Sequence, residues 1–137
     1  IKVYCEDELL LAKMDAKLIV QVIINLVDNA IKYTPYGTSI RIVAKKESKA
    51  VAVSVIDNGP GIPKEIKPRV FDMFYTGENN VADSRRSLGL GLALCKSIIN
   101  AHGGEITLTD NQPQGCNFTF KLPLEEVRFY VYHFKGT

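Results

Sequence analysis

The chain has 137 residues, 46% of them hydrophobic and 23% charged, a composition suited to one folded domain with its own core. Its net charge of +2 is too small to argue for a nucleic-acid or membrane-surface partner. No apolar run reaches the roughly 18 residues that a membrane-spanning helix needs, and no signal peptide is visible. The chain opens on Ile1-Lys2-Val3-Tyr4 without an initiator Met, so a segment of a longer protein is expected. Cys5, Cys95 and Cys116 are odd in number and widely spaced, which gives neither a disulfide framework nor a metal pair. They are expected to be reduced and mostly buried. His102 and His133 form no ligand cluster.

Residues 16–33 predict a helix, with Ile19, Ile23, Val27, Ala30 and Ile31 at helical spacing. Asp15 is its expected N-cap, and Pro35 and Gly37 end it. Residues 39–45 and 50–56 predict two strands joined by a hairpin turn at Glu47-Ser48-Lys49. Asp57-Asn58-Gly59-Pro60-Gly61 is a strong turn signal, and a short helical piece is expected over 64–71 despite Pro68. Residues 76–87 are polar and lack apolar periodicity, and a loop of that length inside a compact domain points to function. A second helix is expected from near Leu90 to about Ala101, stopped by Gly103-Gly104. Strands over 105–109 and 117–122 flank a turn over 110–115. The domain is expected to span 1–124. The tail 125–137, with Phe129, Tyr130, Tyr132 and Phe134, reads equally as an extra strand, a partner contact or an appended sequence.

Three constellations carry chemistry. Gln21, Asn25, Asn29 and Lys32 recur at steps of four, four and three, which places them on one stripe of the first helix. Carboxamide oxygens and an ammonium suit hydrated Mg2+ and its phosphates, because Mg2+ prefers oxygen ligands and keeps several waters. A solvated face explains the same spacing. Asp57-Asn58-Gly59-Pro60-Gly61-Ile62 ends an apolar strand. Its carboxylate could accept a hydrogen bond from an exocyclic amine such as that of adenine, while glycines let backbone approach the base. An Asx turn is the plain alternative. Leu88-Gly89-Leu90-Gly91-Leu92 precedes a helix. Glycine there costs about 1 kcal/mol relative to alanine, so two in alternation ask for a reason. Backbone amides at a helix N-terminus make an anion site; a hinge is the alternative. No Gly-Lys-Ser/Thr follows and no strand leads in, which excludes a Walker loop and a dinucleotide fingerprint.

Together and in this order, these residues resemble the ATP-binding catalytic domain of sensor histidine kinases and their wider ATPase relatives, over residues 15–123. Asn25-Leu26-Val27-Asp28-Asn29-Ala30-Ile31-Lys32-Tyr33-Thr34 looks like the family's asparagine box. Asp57-Asn58-Gly59-Pro60-Gly61-Ile62 looks like its first glycine box, and Phe71-Asp72-Met73-Phe74 like its phenylalanine box. Gly89-Leu90-Gly91-Leu92-Ala93 looks like its second glycine box, followed by a familiar His102-Gly103-Gly104 turn. The wording around 72–77, 83–86 and 94–102 most resembles the potassium-responsive branch. The resemblance implies an α/β two-layer sandwich, the Bergerat fold, with a mixed, largely antiparallel sheet packed on a layer of helices.

It also implies roles. Asn29 and Asn25 would hold Mg2+, and Lys32 would reach phosphate. Tyr33 would line the base or ribose, Asp57 would read the adenine amine, and Gly59, Gly61 and Ile62 would floor the base. Gly89, Leu90 and Gly91 would cradle phosphate, with Phe74 and Leu92 completing the nucleotide set and 76–88 forming an ATP lid. The implied activity is donation of the γ-phosphate of ATP to a histidine on a separate dimerisation domain. A response regulator would act downstream, with no nucleic-acid partner. The implied setting is the cytoplasmic part of a membrane-anchored homodimer.

The phospho-accepting histidine box is absent, and His102 is expected to be structural. Ser87, Leu88 and Cys116 depart from the family pattern, Cys116 standing where threonine is common. Hydrolytic relatives carry a glutamate one helical turn before the Mg2+ asparagine, as a base for water. Asn25 stands there in this chain, which favours transfer to histidine over hydrolysis. The alternatives are a serine-directed kinase, a DNA- or chaperone-type ATPase, and a nucleotide-binding module with little catalysis.

Overall fold

A computed structural model describes residues 1–5, 12, 14–72 and 91–124 of the chain. Strand β1 (Lys2–Cys5) is followed by helix α1 (Ala16–Tyr33), the hairpin β2 (Ile40–Glu47) and β3 (Ala50–Asp57), helix α2 (Gly91–Ala101), and strands β4 (Glu105–Asp110) and β5 (Cys116–Pro123). The five strands form one sheet in the order β1-β2-β3-β5-β4. β1 runs parallel to β2, and every other neighbour pair is antiparallel. The mixed, largely antiparallel sheet and its helical layer are those the resemblance implied.

The sheet holds its helices on one face because its strands alternate. On β5, Cys116, Phe118, Phe120 and Leu122 are buried in the core. They meet Ile19, Val22, Leu26 and Ala30 of α1 and Cys95, Ile98 and Ile99 of α2. Burying a side chain of the Leu or Phe class contributes about 1.5–3 kcal/mol, so this interface is the main source of cohesion. On the opposite face Ser54 hydrogen-bonds Thr119 at 2.7 Å. Along β3 the core-facing positions are Val53, Val55 and then Asp57, so the strand's regular alternation delivers a carboxylate to the edge of the core.

α1 begins where expected. The Asp15 side chain accepts from Leu18 N at 3.2 Å, and the Asp15 carbonyl accepts from Ile19 N. His102, at the far end of α2, fastens the two helices together. Its Nε2 accepts from Asp15 N at 3.0 Å while its Nδ1 faces the Ile98 carbonyl at 2.7 Å. That pattern requires the proton on Nδ1 and agrees with a structural role.

Three expectations are corrected. β1 was not anticipated; four residues have too little pattern to declare a strand, and its parallel partner β2 is remote in sequence. The helical piece over 64–71 is only a one-turn 3-10 helix, Lys67–Arg69. Pro68 has no N–H to extend a helix, and the Pro63 carbonyl accepts from both Ile66 and Lys67 instead. β2 runs on to Glu47, because Lys46 and Glu47 pair with Val51 and Ala50 across the hairpin. The loop expected over 76–87 and the tail 125–137 lie outside the described residues.

α2 closes on a Schellman-type turn in which Gly104 N reaches the Ile99 carbonyl at 3.0 Å and Gly103 takes φ +74°. A Cβ on Gly104 would lie 2.0 Å from the Lys121 carbonyl oxygen, a backbone atom of β5 that cannot rotate away. Gly104→Ala is therefore expected to destabilise the domain by about 1–3 kcal/mol. Urea unfolding with an unchanged denaturant slope would measure it; a midpoint equal to that of the unmodified chain would contradict this packing.

Candidate functional site

The C-terminal end of α1, the turn after β3 and the turn between β4 and β5 meet at one end of the sheet. Asp57 ends β3 with only 5% of its surface exposed. A buried carboxylate is costly unless hydrogen-bonded, and Asp57 is bonded locally and across the sheet. Its Oδ1 accepts from Gly59 N at 2.9 Å and from Cys116 N at 3.3 Å. No buried side-chain nitrogen or oxygen among the described residues lacks a partner.

Two glycines make this closeness possible. A Cβ on Gly59 would sit 2.6 Å from Cγ2 of Thr34, the residue that caps α1. A Cβ on Gly115 would sit 1.9 Å from the Asp57 carbonyl oxygen. Glycine thus lets the Thr34 side chain at the helix end close on the first turn, and the second turn close backbone to backbone on the strand end. Gly61 (φ +82°) faces Gly115 across the same gap, and the partly buried Ile62 packs on the core beneath.

The polar stripe of α1 forms the adjoining side. Asn25 and Asn29 are both half-buried. Asn25 is engaged: its Oδ1 accepts from Gln21 Nε2 at 2.8 Å. Lys32 turns its ammonium to Asp28 at 2.9 Å, one helical turn back. Tyr33 is 42% exposed beside the cap, presenting an aromatic surface to solvent. Gly91 opens α2, and Leu92 packs against the core from the side. Phe74, Gly89, Leu90 and the lid 76–88 lie outside the described residues.

The donor set suits the groups the resemblance implied. Two carboxamides one turn apart match a cation that arrives with phosphate oxygens and its own waters, and the neighbouring carboxylate, Asp28, is paired with Lys32. Among the described residues no cluster of three or more His, Cys, Asp or Glu could hold a metal without such a ligand.

The sequence reading missed several residues here. Asn58 Oδ1 accepts from Ser39 N at 2.8 Å, tying the turn to the start of the hairpin. Asn111 Nδ2 donates to the Asp57 carbonyl at 3.0 Å, and Gln114 Nε2 to the Asn58 carbonyl at 3.0 Å. Lys67 of the 3-10 turn pairs with Asp110 at the end of β4. In sequence, Asn111 and Gln114 look like ordinary turn residues, and only the crossing of β5 beside β3 gives them a target.

The sequence family described as histidine kinase-, DNA gyrase B-, and HSP90-like ATPase matches residues 14–126. Sensor protein KdpD of Clostridium acetobutylicum is 46% identical over 125 residues, which cover 91% of this chain and 14% of that protein. The nucleotide-free catalytic domain of histidine kinase ThkA has a TM-score of 0.75 and 36% identity over 89% of this chain and 76% of its own. ThkA in complex with the response regulator protein TrrA gives a TM-score of 0.71 at 35% identity, over 89% of this chain and 33% of that one. The chain therefore spans only a small part of the curated relative it matches.

Burial pushes the thiols of Cys95 and Cys116 up to about 11, from an ordinary value of 9.0. At Cys116 the carboxylates of Asp57 and Asp110 add to burial, while Lys67 opposes it. The unfolded thiols ionise first, so the unfolded state binds fewer protons and stability falls as pH rises from 9 towards 11. Denaturant titrations across that window should show the fall, and it should be shallower in Cys95→Ala/Cys116→Ala. Equal slopes in the two proteins would disprove the assignment.

Proposed function

The chain belongs to the histidine kinase-, DNA gyrase B- and HSP90-like ATPase family, and from that premise we propose that it binds Mg-ATP and offers the γ-phosphate to a histidine on a separate dimerisation domain. The observation that carries the nucleotide half is the buried Asp57 carboxylate. Both of its described hydrogen bonds fall on Oδ1, which leaves Oδ2 as the acceptor for an adenine amine. Gly59 and Gly61 keep the floor of the base site free of side chains, with Ile62 and Tyr33 as apolar surfaces.

In this reading Asn29 and, after exchanging its bond to Gln21, Asn25 hold the metal. Lys32 swings from Asp28 to a phosphate. Gly89, Leu90 and Gly91 would supply amides to the phosphates, with Phe74 and Leu92 behind them. Mg2+, when bound, neutralises phosphate charge; phosphoryl transfer otherwise depends on positioning and electrostatics. The side chains on this stripe bind and orient, and the position one turn before Asn29, where hydrolytic relatives carry a glutamate base, holds Asn25. Turnover to free phosphate by this domain alone is therefore expected to be slow.

The acceptor domain has a place to dock. Val20, Ile24 and Ile31 of α1 are 52%, 53% and 55% exposed and lie on one side of the helix, adjoining the asparagine stripe. The 46% identity to Sensor protein KdpD supports a place in the potassium-responsive branch that the sequence resembles. A response regulator partner is supported by the ThkA–TrrA complex. The longer protein is proposed to be a membrane-anchored homodimer, with this domain on the cytoplasmic side.

Calorimetry with an Mg-ATP analogue tests the site. Asn29→Ala and Asp57→Ala should each weaken binding at least about tenfold, as expected when a buried or charge-assisted polar partner is lost. Equal binding by all three proteins would overturn it. Rapid steady-state phosphate release by the unmodified domain would remove the kinase reading. Ile24→Glu should leave analogue affinity unchanged and reduce phosphorylation of a separately supplied histidine-bearing domain about tenfold or more, as expected for a charge forced into an apolar contact. Undiminished transfer would exclude that docking face.

A further inference from the structure

The turn between β4 and β5 is clamped onto the strand end that carries Asp57. Asn111 closes the turn on itself, its N–H donating to the Gly115 carbonyl at 2.9 Å, and its side chain crosses to the Asp57 carbonyl at 3.0 Å. The next residue of β5, Cys116, supplies the amide that reaches Asp57 Oδ1 at 3.3 Å. That second bond decides how the carboxylate is held. The Gly59 amide alone is a local bond two residues away and leaves the carboxylate free to turn about it. The Cys116 amide, approaching from the neighbouring strand, completes a two-point hold on Oδ1. Its 3.3 Å length is near the outer limit of such bonds. A small displacement of the turn would therefore break it.

We propose that Asn111 is a positioning residue for the Asp57 carboxylate, and through it sets the preference of this site for a purine bearing an exocyclic 6-amino group. The proposal rests on the reading of Asp57 given above. Asn111 is half-buried and bonds the backbone of Asp57 itself. Gln114 is exposed and bonds the neighbouring carbonyl of Asn58, so it serves as the control within the same turn. Lys67 anchors the opposite side of the turn through Asp110.

The test compares calorimetric affinities for Mg-ATP and for the Mg complex of purine riboside triphosphate, which lacks only the amine. In Asn111→Ala the preference for ATP should narrow about fivefold, the value of one net hydrogen bond, while affinity for the amine-free analogue stays within about twofold. In Gln114→Ala the preference should persist. If Asn111→Ala weakens both ligands equally, or neither, the residue is merely structural and the proposal fails. Asp57→Ala separates this from failure of the underlying reading: if it keeps the full preference for ATP, Asp57 does not read the amine. If Asn111→Ala does not fold, Asn111→Ser keeps a turn-favouring residue too short to reach the Asp57 carbonyl, and the same two outcomes apply.

Discussion

A carboxylate at the edge of the core constrains this end of the domain. Asp57 stands on the face of β3 that also carries Val53 and Val55, and only hydrogen-bond donors brought close to it make that position tolerable. The Gly59 amide comes from the turn that follows, and the Cys116 amide from the adjacent strand. To deliver both, the turn at Gly115 must press its backbone against Asp57, and Gly59 must let Thr34 of α1 approach. One buried group thus fixes the relative placement of the first helix, the central hairpin and the last two strands where they meet.

α1 shows how one helix serves three surroundings at once. Ile19, Val22, Leu26 and Ala30 are buried, Asn25 and Asn29 lie half-buried on the polar stripe, and Val20, Ile24 and Ile31 face out. The first set holds the helix on the sheet, and the second is held in place by it. The third leaves more than half of its apolar surface in solvent, and exposed apolar side chains in a row are a usual sign of a contact surface. His102 and Asp15 close the other end of the helix pair, distant along α1 from the cap beside Asp57.

Most of the architecture could be read from the sequence, because periodicity reports burial. α1 runs over the expected residues, and the strands differ from expectation only at their ends. Asp57 was legible because it interrupts an apolar strand and precedes glycines. Three things were not legible. β1 needed its parallel partner to declare it. Asn25 and Lys32 were expected as ligands of Mg2+ and phosphate, and helical spacing does not say that Gln21 and Asp28 would engage them. The contacts of Asn111 and Gln114 span 54 and 56 residues, and depend on a strand order that local sequence does not encode.

The engagement of Asn25 and Lys32 bears on how such a site exchanges nucleotide. The Lys32–Asp28 pair is substantially exposed, and pairs of that kind contribute at most about 1 kcal/mol. The Gln21–Asn25 bond is likewise exposed, with a net value of about 1 kcal/mol. A ligand that takes either side chain replaces one weak partner with another and leaves no buried polar group unsatisfied. Asp57 is different. Its bonds are buried and come from backbone amides, so the carboxylate stays oriented whether or not a base is present. In the proposed function the base end of the site is therefore preorganised, while the phosphate end is held by bonds cheap enough to break at each exchange. That division suits a domain that must bind ATP with selectivity, give up one phosphoryl group and release what remains.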